Sequence, residues 1–362
     1  MSVLFRHVMT FMELFDPSHV NVVPAKMGAF GEAVFNLARK AGSPNLAVRP
    51  LQIACVRWSA PDGANLTACH PLLCKASLLA KTPRAALIVI DRDISEINPS
   101  AFGIKYQHFL LYHYYGGMIY TGLRLYDRAC QFFKLCITAP GPSVSAIQIE
   151  AYRKFILVSL LAHGVVPPLP KYTSPSVLRA SKQQCKPYLE FAQAYESLSN
   201  ARIETEFKNG EQAFQSHGNR GIALQCMQAL TRRNVQQLTE TYLTLSLEDI
   251  AKSVGLVEVA ETERLILRMI EEGHVFAKIS ARDGGMVSFQ DPPQRYTDVE
   301  TTRRLHGEIT QAMLLENQML KMDRSIAVSK DFVAKVASGE RGSAPPSAGL
   351  DDEMFDTAAW RE

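Results

Sequence analysis

Much of the usual enzyme chemistry is missing from this sequence. There is no GxxxxGK[ST] loop, and the glycine pair of RDGGMV has no helix behind it to hold a phosphate. GPSVS at 141–145 lacks the second glycine of a nucleophile elbow. No H-x-H occurs, so the signature of a JAB-type metalloprotease is absent. The histidines are scattered, and His108 and His113, five apart, fall on different faces of a helix. Cys69, His70 and Cys74 lie close together, but no second ligand pair follows at structural-zinc spacing. These residues read as core or surface. The sequence offers no catalytic residue, no cofactor site and no metal site, and the chain is not expected to be an enzyme.

A strong charge of either sign is missing too. Lys and Arg number 39 against 36 Asp and Glu, and a net +3 is too small to imply nucleic acid or an anionic membrane. No run approaches the roughly 20 apolar residues that span a bilayer. The start, MSVLFRHVMTFMELF, is interrupted by Arg6 and Glu13, and no small-residue cleavage site follows. Seven cysteines, an odd count without tight spacing, suit a reducing compartment rather than a disulfide framework. Asn65-Leu66-Thr67 is then a chance sequon, and the expected location is cytoplasm and nucleus.

What is present is helix after helix. From about residue 66 to 215 the breakers are Asn98-Pro99, Pro140-Gly141-Pro142 and Pro167-Pro168-Leu169-Pro170. Within YYGGMIYTGLRLYDRACQFFKLCITAP, Gly117, Tyr120, Ala129, Phe133 and Cys136 fall at the spacings of a tetratricopeptide-type hairpin. A small residue on the first helix admits the second, and the aromatic rings fill the space between. One such hairpin cannot bury both faces alone, so neighbours and a solenoid are implied.

SLEDIAKSVGL at 246–256 predicts a different module. Ser246 with Asp249 three residues on is a capping-box pattern, and Gly255 can take the left-handed conformation that ends a helix. Leu247, Ile250, Ala251 and Val254 make the buried face. A second helix is predicted over 258–272, followed by β-formers at Val275–Ile279 and Met286–Phe289 around the turn Asp283-Gly284-Gly285. This is the layout of a winged helix. Such modules often read DNA, but 246–295 holds nine acids against six bases, a net −3. A surface of that sign is repelled by phosphates, so the expected partner is protein rather than DNA. Thr244-Leu245-Ser246 can supply a third strand against Met286–Phe289. Val275, Phe276, Ala277, Lys278 and Ile279 are then a free edge for a partner's strand, and one of Phe276 or Ala277 points its N–H outward.

The region 297–336 is again helical, with Leu305, Ile309, Met313 and Leu320 forming a narrow apolar stripe suited to a partner helix. From Ser338 the composition turns to Gly, Pro, Ser and Ala and ends DDEMFDTAAWRE, so 337–362 is predicted to be a disordered tail.

A solenoid running into a winged helix and a trailing helix is the layout of a PCI module. The runs HFLLYHYYGGMIYTGL (108–123), EAYRKFILVSLLAHGVV (150–166), LPKYTS (169–174), NVQQLTETYLTLSLEDIA (234–251) and MIEEGHVFAKI with DGGMVSF (269–289) resemble the COP9 signalosome subunit 3 family. The resemblance covers roughly 66–295, while residues 1–60 match only faintly. It implies a mainly α chain: N-terminal helical repeats at 1–126, a PCI module at 127–293 whose helical part is 127–230 and winged helix 231–293, and a C-terminal helix at 297–336. It further implies a non-catalytic scaffold in a hetero-oligomer whose separate metalloprotease subunit removes Nedd8 from cullins. In that family winged helices join edge to edge and C-terminal helices gather into a bundle, with subunits one and eight as neighbours. No membrane and no cofactor enter this picture. A PCI subunit of the proteasome lid or of the translation initiation factor three complex is the alternative. A nucleic-acid-binding PCI protein of mRNA export would need a basic winged helix.

Overall fold

The computed structural model describes residues 2–59, 65–141, 143–255, 258–280, 285–290 and 299–337. Its helices run in chain order: α1 (Ser2–Leu14), α2 (Pro17–Val20), α3 (Pro24–Lys40), α4 (Asn45–Trp58), α5 (Cys69–Leu79), α6 (Arg84–Ile90), α7 (Pro99–Phe102), α8 (Tyr106–Gly122) and α9 (Tyr126–Thr138). There follow α10 (Ala146–Ala162), α11 (Pro175–Gln184), α12 (Lys186–Glu196), α13 (Asn200–Ser216) and α14 (Arg220–Thr241). A small module then holds β1 (Thr244–Ser246), α15 (Leu247–Val254), α16 (Val259–Glu271), β2 (Ala277–Ser280) and β3 (Met286–Phe289). Helices α17 (Val299–Val328) and α18 (Lys330–Ala337) close the described chain.

Successive helices pair, and α5, α8, α9 and α10 pack side by side. The α8–α9 hairpin shows why. A Cβ on Gly116 would lie 2.6 Å from the Phe132 ring, and one on Gly117 the same distance from Phe133. Any larger residue there would push the helices apart. Tyr120, Ala129, Phe133 and Cys136 are fully buried between the helices. Tyr120 also reaches beyond its own hairpin: its hydroxyl donates to the Ile90 carbonyl at 3.0 Å and to Asp91 at 2.7 Å, tying α8 to the end of α6.

One hydrophobic core runs from Phe5 through Trp58, Tyr112 and Phe133 to Val177. A second gathers Ile156, Leu160, Tyr188, Phe191, Phe214, Cys226 and Leu230. The expected boundary at 126/127 therefore falls inside the first core, in the first turn of α9. Residue 231, the expected start of the winged helix, lies within continuous α14. The chain divides into two compact units between Gln237 and Leu238. Helix α10 serves both cores, with Ala151, Phe155 and Val158 in the first and Ile149, Ile156, Leu157 and Leu160 in the second, while the buried apolar residues of α9 lie in the first. The tail predicted from 337 on lies, beyond Ala337, outside the described residues, as do Asp283 and Gly284 of the hairpin turn.

All seven cysteines are buried and free. Burial raises the thiols of Cys69 and Cys74 to about 12 and that of Cys185 to about 11. The thiolate is the nucleophile, so these groups are doubly protected. We expect iodoacetamide at pH 7.5 to label none of the seven in the native chain and all seven in denaturant, read as intact mass. Rapid labelling of the native chain would contradict this packing.

Candidate protein-interaction surfaces

The winged helix forms as its local signals require. Ser246 Oγ accepts from the Asp249 N–H at 3.1 Å and donates to the Asp249 carboxylate at 2.7 Å, starting α15. Gly255 stops it at φ +76°. Leu247, Ile250, Ala251 and Val254 are buried, and Ile266 and Met269 of α16 pack inward.

The three strands are antiparallel in the order β1-β3-β2. Thr244 pairs with Ser288, while Ala277 pairs with Phe289 and Ile279 with Val287. Three bonds at the strand ends fix which way each backbone group points. Gln290 N–H donates to the Phe276 carbonyl at 2.7 Å; Phe289 N–H donates to Leu243 at 2.9 Å and Leu247 N–H to Gly285 at 3.0 Å. In an antiparallel ladder successive residues alternate their polar groups between the two sides. Phe276, Lys278 and Ser280 therefore face β3, and Ala277 and Ile279 aim N–H and C=O at the open edge of β2.

The strand is shifted from the sequence-predicted one. Val275 is buried, and its N–H donates to the Met269 carbonyl. It belongs to the cap of α16, where Gly273 at φ +72° turns the chain. Phe276 offers its carbonyl to Gln290, so of the two neighbours it is Ala277 that points outward. Lys278 is exposed and Ile279 half-buried.

Helix α16 carries Glu258, Glu261, Glu263, Glu271 and Glu272 around its exposed side. Arg268 is drawn to Glu272 at 3.0 Å, which spends one of its two arginines on an internal pair. We expect the full chain to give no gel shift with random duplex DNA at 0.15 M salt. Non-specific binders reach a Kd of about 10⁻⁴–10⁻⁶ M there. Salt-sensitive micromolar binding would refute the electrostatic reading.

Leu305, Ile309, Met313 and Leu320 of α17 are all exposed. They are only half of what the helix offers, and the expected narrow stripe is too narrow. Leu315, Met319, Met322 and Ile326 are exposed as well, and Phe332, Val333 and Val336 continue on α18. The second set steps by four, three and four residues and so forms its own seam. At about 100° per residue it lies roughly a third of the circumference from the first. The pattern is hidden in sequence because the two seams overlap between residues 315 and 320. A helix with two apolar seams suits two neighbours at once.

Two further contacts carry no local sequence signature. Arg233 of α14 donates to the His163 carbonyl and lies across Gly164, which ends α10 at φ +72°. Buried Lys154 donates to Asn219 at 2.6 Å, and Asn219 donates to the Tyr188 hydroxyl at 2.9 Å. Both tie α14, the helix leading toward the winged helix, to the repeat array. Among the described residues no group of three or more ligating side chains is placed to hold a metal ion. None of their helices is long and apolar enough to cross a membrane.

An array of helical hairpins followed by a winged helix with this strand order defines a PCI-type protein, and residues 206–291 match the PCI domain model. Residues 1–177 match the model described as COP9 signalosome complex subunit 3, N-terminal helical repeats, so the match includes the first 60 residues, where the resemblance is faint. The chain belongs to the COP9 signalosome subunit 3 family. A protein of that name from Dictyostelium discoideum is 36% identical over 276 residues, covering 76% of this chain and 66% of its own length. One from Drosophila melanogaster is 37% identical over 291 residues, covering 76% of this chain and 65% of its own. The chain thus spans just under two thirds of the length of these relatives.

Proposed function

We propose that this protein is a non-catalytic scaffold subunit of the COP9 signalosome, the complex that removes Nedd8 from cullin-RING ubiquitin ligases. It assembles by adding a partner's strand to the open edge of β2 and by seating α17 among other subunits' helices. Subunits one and eight are its proposed neighbours, and cytoplasm and nucleus its proposed location. The observation that carries the reading is a pair of surfaces that nothing among the described residues covers. Ala277 and Ile279 turn their backbone groups away from β3, and α17 exposes two apolar seams along 30 residues. Long apolar faces of this kind are costly in water and are the signature of an obligate interface. The acidic α16 supports a protein partner over a nucleic acid.

The test is reconstitution with the other signalosome subunits, read by native mass spectrometry. Wild type should enter the complex at one copy. Ile309→Glu and Met319→Glu probe one seam each. Burying one apolar side chain contributes about 1.5–3 kcal/mol, so each variant should lower incorporation by about tenfold or more. Both positions are exposed, and the isolated variants should keep native helicity. Should neither seam matter, α17 is not an assembly helix.

A further inference from the structure

The segment between α10 and α11, VVPPLPKYTS at 165–174, is not used by either surface above. Residues 166–170 form neither helix nor strand. Their burial nevertheless has a period. Val165, Pro168 and Lys171 are exposed, and between them the pairs Val166-Pro167 and Leu169-Pro170 are half-buried. Val166 and Leu169 pack on the first core. Three residues per turn is the period of polyproline II, the conformation that prolines favour and that leaves its backbone free of internal hydrogen bonds.

The strip is pinned at both ends. Val166 N–H donates to the Glu196 carboxylate at 3.1 Å. At the other end Thr173 is buried, and its N–H and hydroxyl both donate to the Pro170 carbonyl, at 3.0 and 2.7 Å. Tyr172 stands out into solvent, 59% exposed, two residues beyond Pro170 and next to exposed Lys171. An ordinary connection has no need to show water a ridge of Val165, Pro168 and Lys171 followed by a large aromatic side chain. Holding these residues still also removes most of the ordering entropy that a free peptide loses on docking.

We propose that Val165–Tyr172 is a docking strip for a WW-type domain, a small module whose aromatic-lined groove reads polyproline II segments. The ridge at Pro168 lies in the aromatic groove. Tyr172 fills the adjoining pocket, and Lys171 meets an acidic residue of the partner. The partner is a protein outside the assembly surfaces, so the proposal stands or falls independently of β2 and α17.

The experiment needs no signalosome subunit. A panel of ¹⁵N-labelled WW domains is screened against a free peptide of residues 163–175. The best binder is then titrated with the full chain, and its amide shifts are followed. Saturable binding by the full chain is expected, at least as tight as by the peptide. Pro168→Ala and Tyr172→Ala should each weaken it by about tenfold, corresponding to about 1.4 kcal/mol. Both side chains are exposed, so melting temperatures should match wild type. Three results would overturn the proposal: no WW domain binds the peptide, the peptide binds but the chain does not, or both variants bind as wild type does.

Discussion

Ala277→Pro should fold as wild type does and fail to enter the signalosome. In the register of β2 and β3, Ala277 aims its N–H at the open edge, so proline removes no bond of the native ladder. It does remove a donor that an incoming strand requires, and its ring occupies the space the strand must approach. A lost hydrogen bond contributes only about 0.5–1.5 kcal/mol. The steric term adds to it, so incorporation should drop by more than tenfold. Lys278→Pro is the contrasting variant. Its backbone faces β3, and proline there breaks the hairpin itself, so assembly and melting should fail together. The pair separates a lost edge from a lost fold. If Ala277→Pro melts normally and still incorporates at wild-type levels, strand addition at β2 is wrong, whatever α17 contributes.

Ser246, Asp249 and Gly255 were legible because capping depends on residues within a turn of each other. Gly117 and Phe133 were legible because the hairpin spacing is local. The outward choice between Phe276 and Ala277 was not, because it depends on a bond from Gln290, across the hairpin. Nor was Val275 recognisable as part of a helix cap, since β-propensity and a buried cap both favour valine. Arg233 against His163 and Lys154 against Asn219 join residues 70 and 65 positions apart, and no periodicity reports such pairs. On α17 the failure was of another kind. Two interleaved seams of differing length blur any single period, and only the simpler one stands out.

The second large effect concerns acid. His70 and His113 are both buried beside Tyr112, with ring centroids 5.5 and 5.0 Å from its own. Burial pulls each imidazole down from 6.5 to about 4. The surroundings also favour the neutral ring at His70, whose Nδ1 accepts the Thr67 N–H at 3.0 Å. His113 Nδ1 instead meets the Phe109 carbonyl at 2.9 Å and donates to it. Above pH 6.5 neither the folded nor the unfolded chain protonates these groups, and they leave stability unchanged. Between about pH 6.5 and 4 the unfolded chain takes up protons that the folded chain refuses, so stability falls as pH falls. Each group gives a slope of about 1.4 kcal/mol per pH unit, hence about 2 kcal/mol lost per histidine at pH 5. For a unit of this size that is a fall of roughly 10 °C in melting temperature between pH 7 and 5. His70→Asn keeps an acceptor near Nδ1, and His113→Phe fits among Phe109, Phe132 and Tyr112. Each variant should remove its share of the slope. His108 and His217 are displaced in the same direction by burial, so the double variant retains a shallower dependence rather than none. Thermal melts of the four proteins from pH 7.5 to 4.5 decide the matter: a double variant as acid-labile as wild type would mean that the buried imidazoles do not govern it.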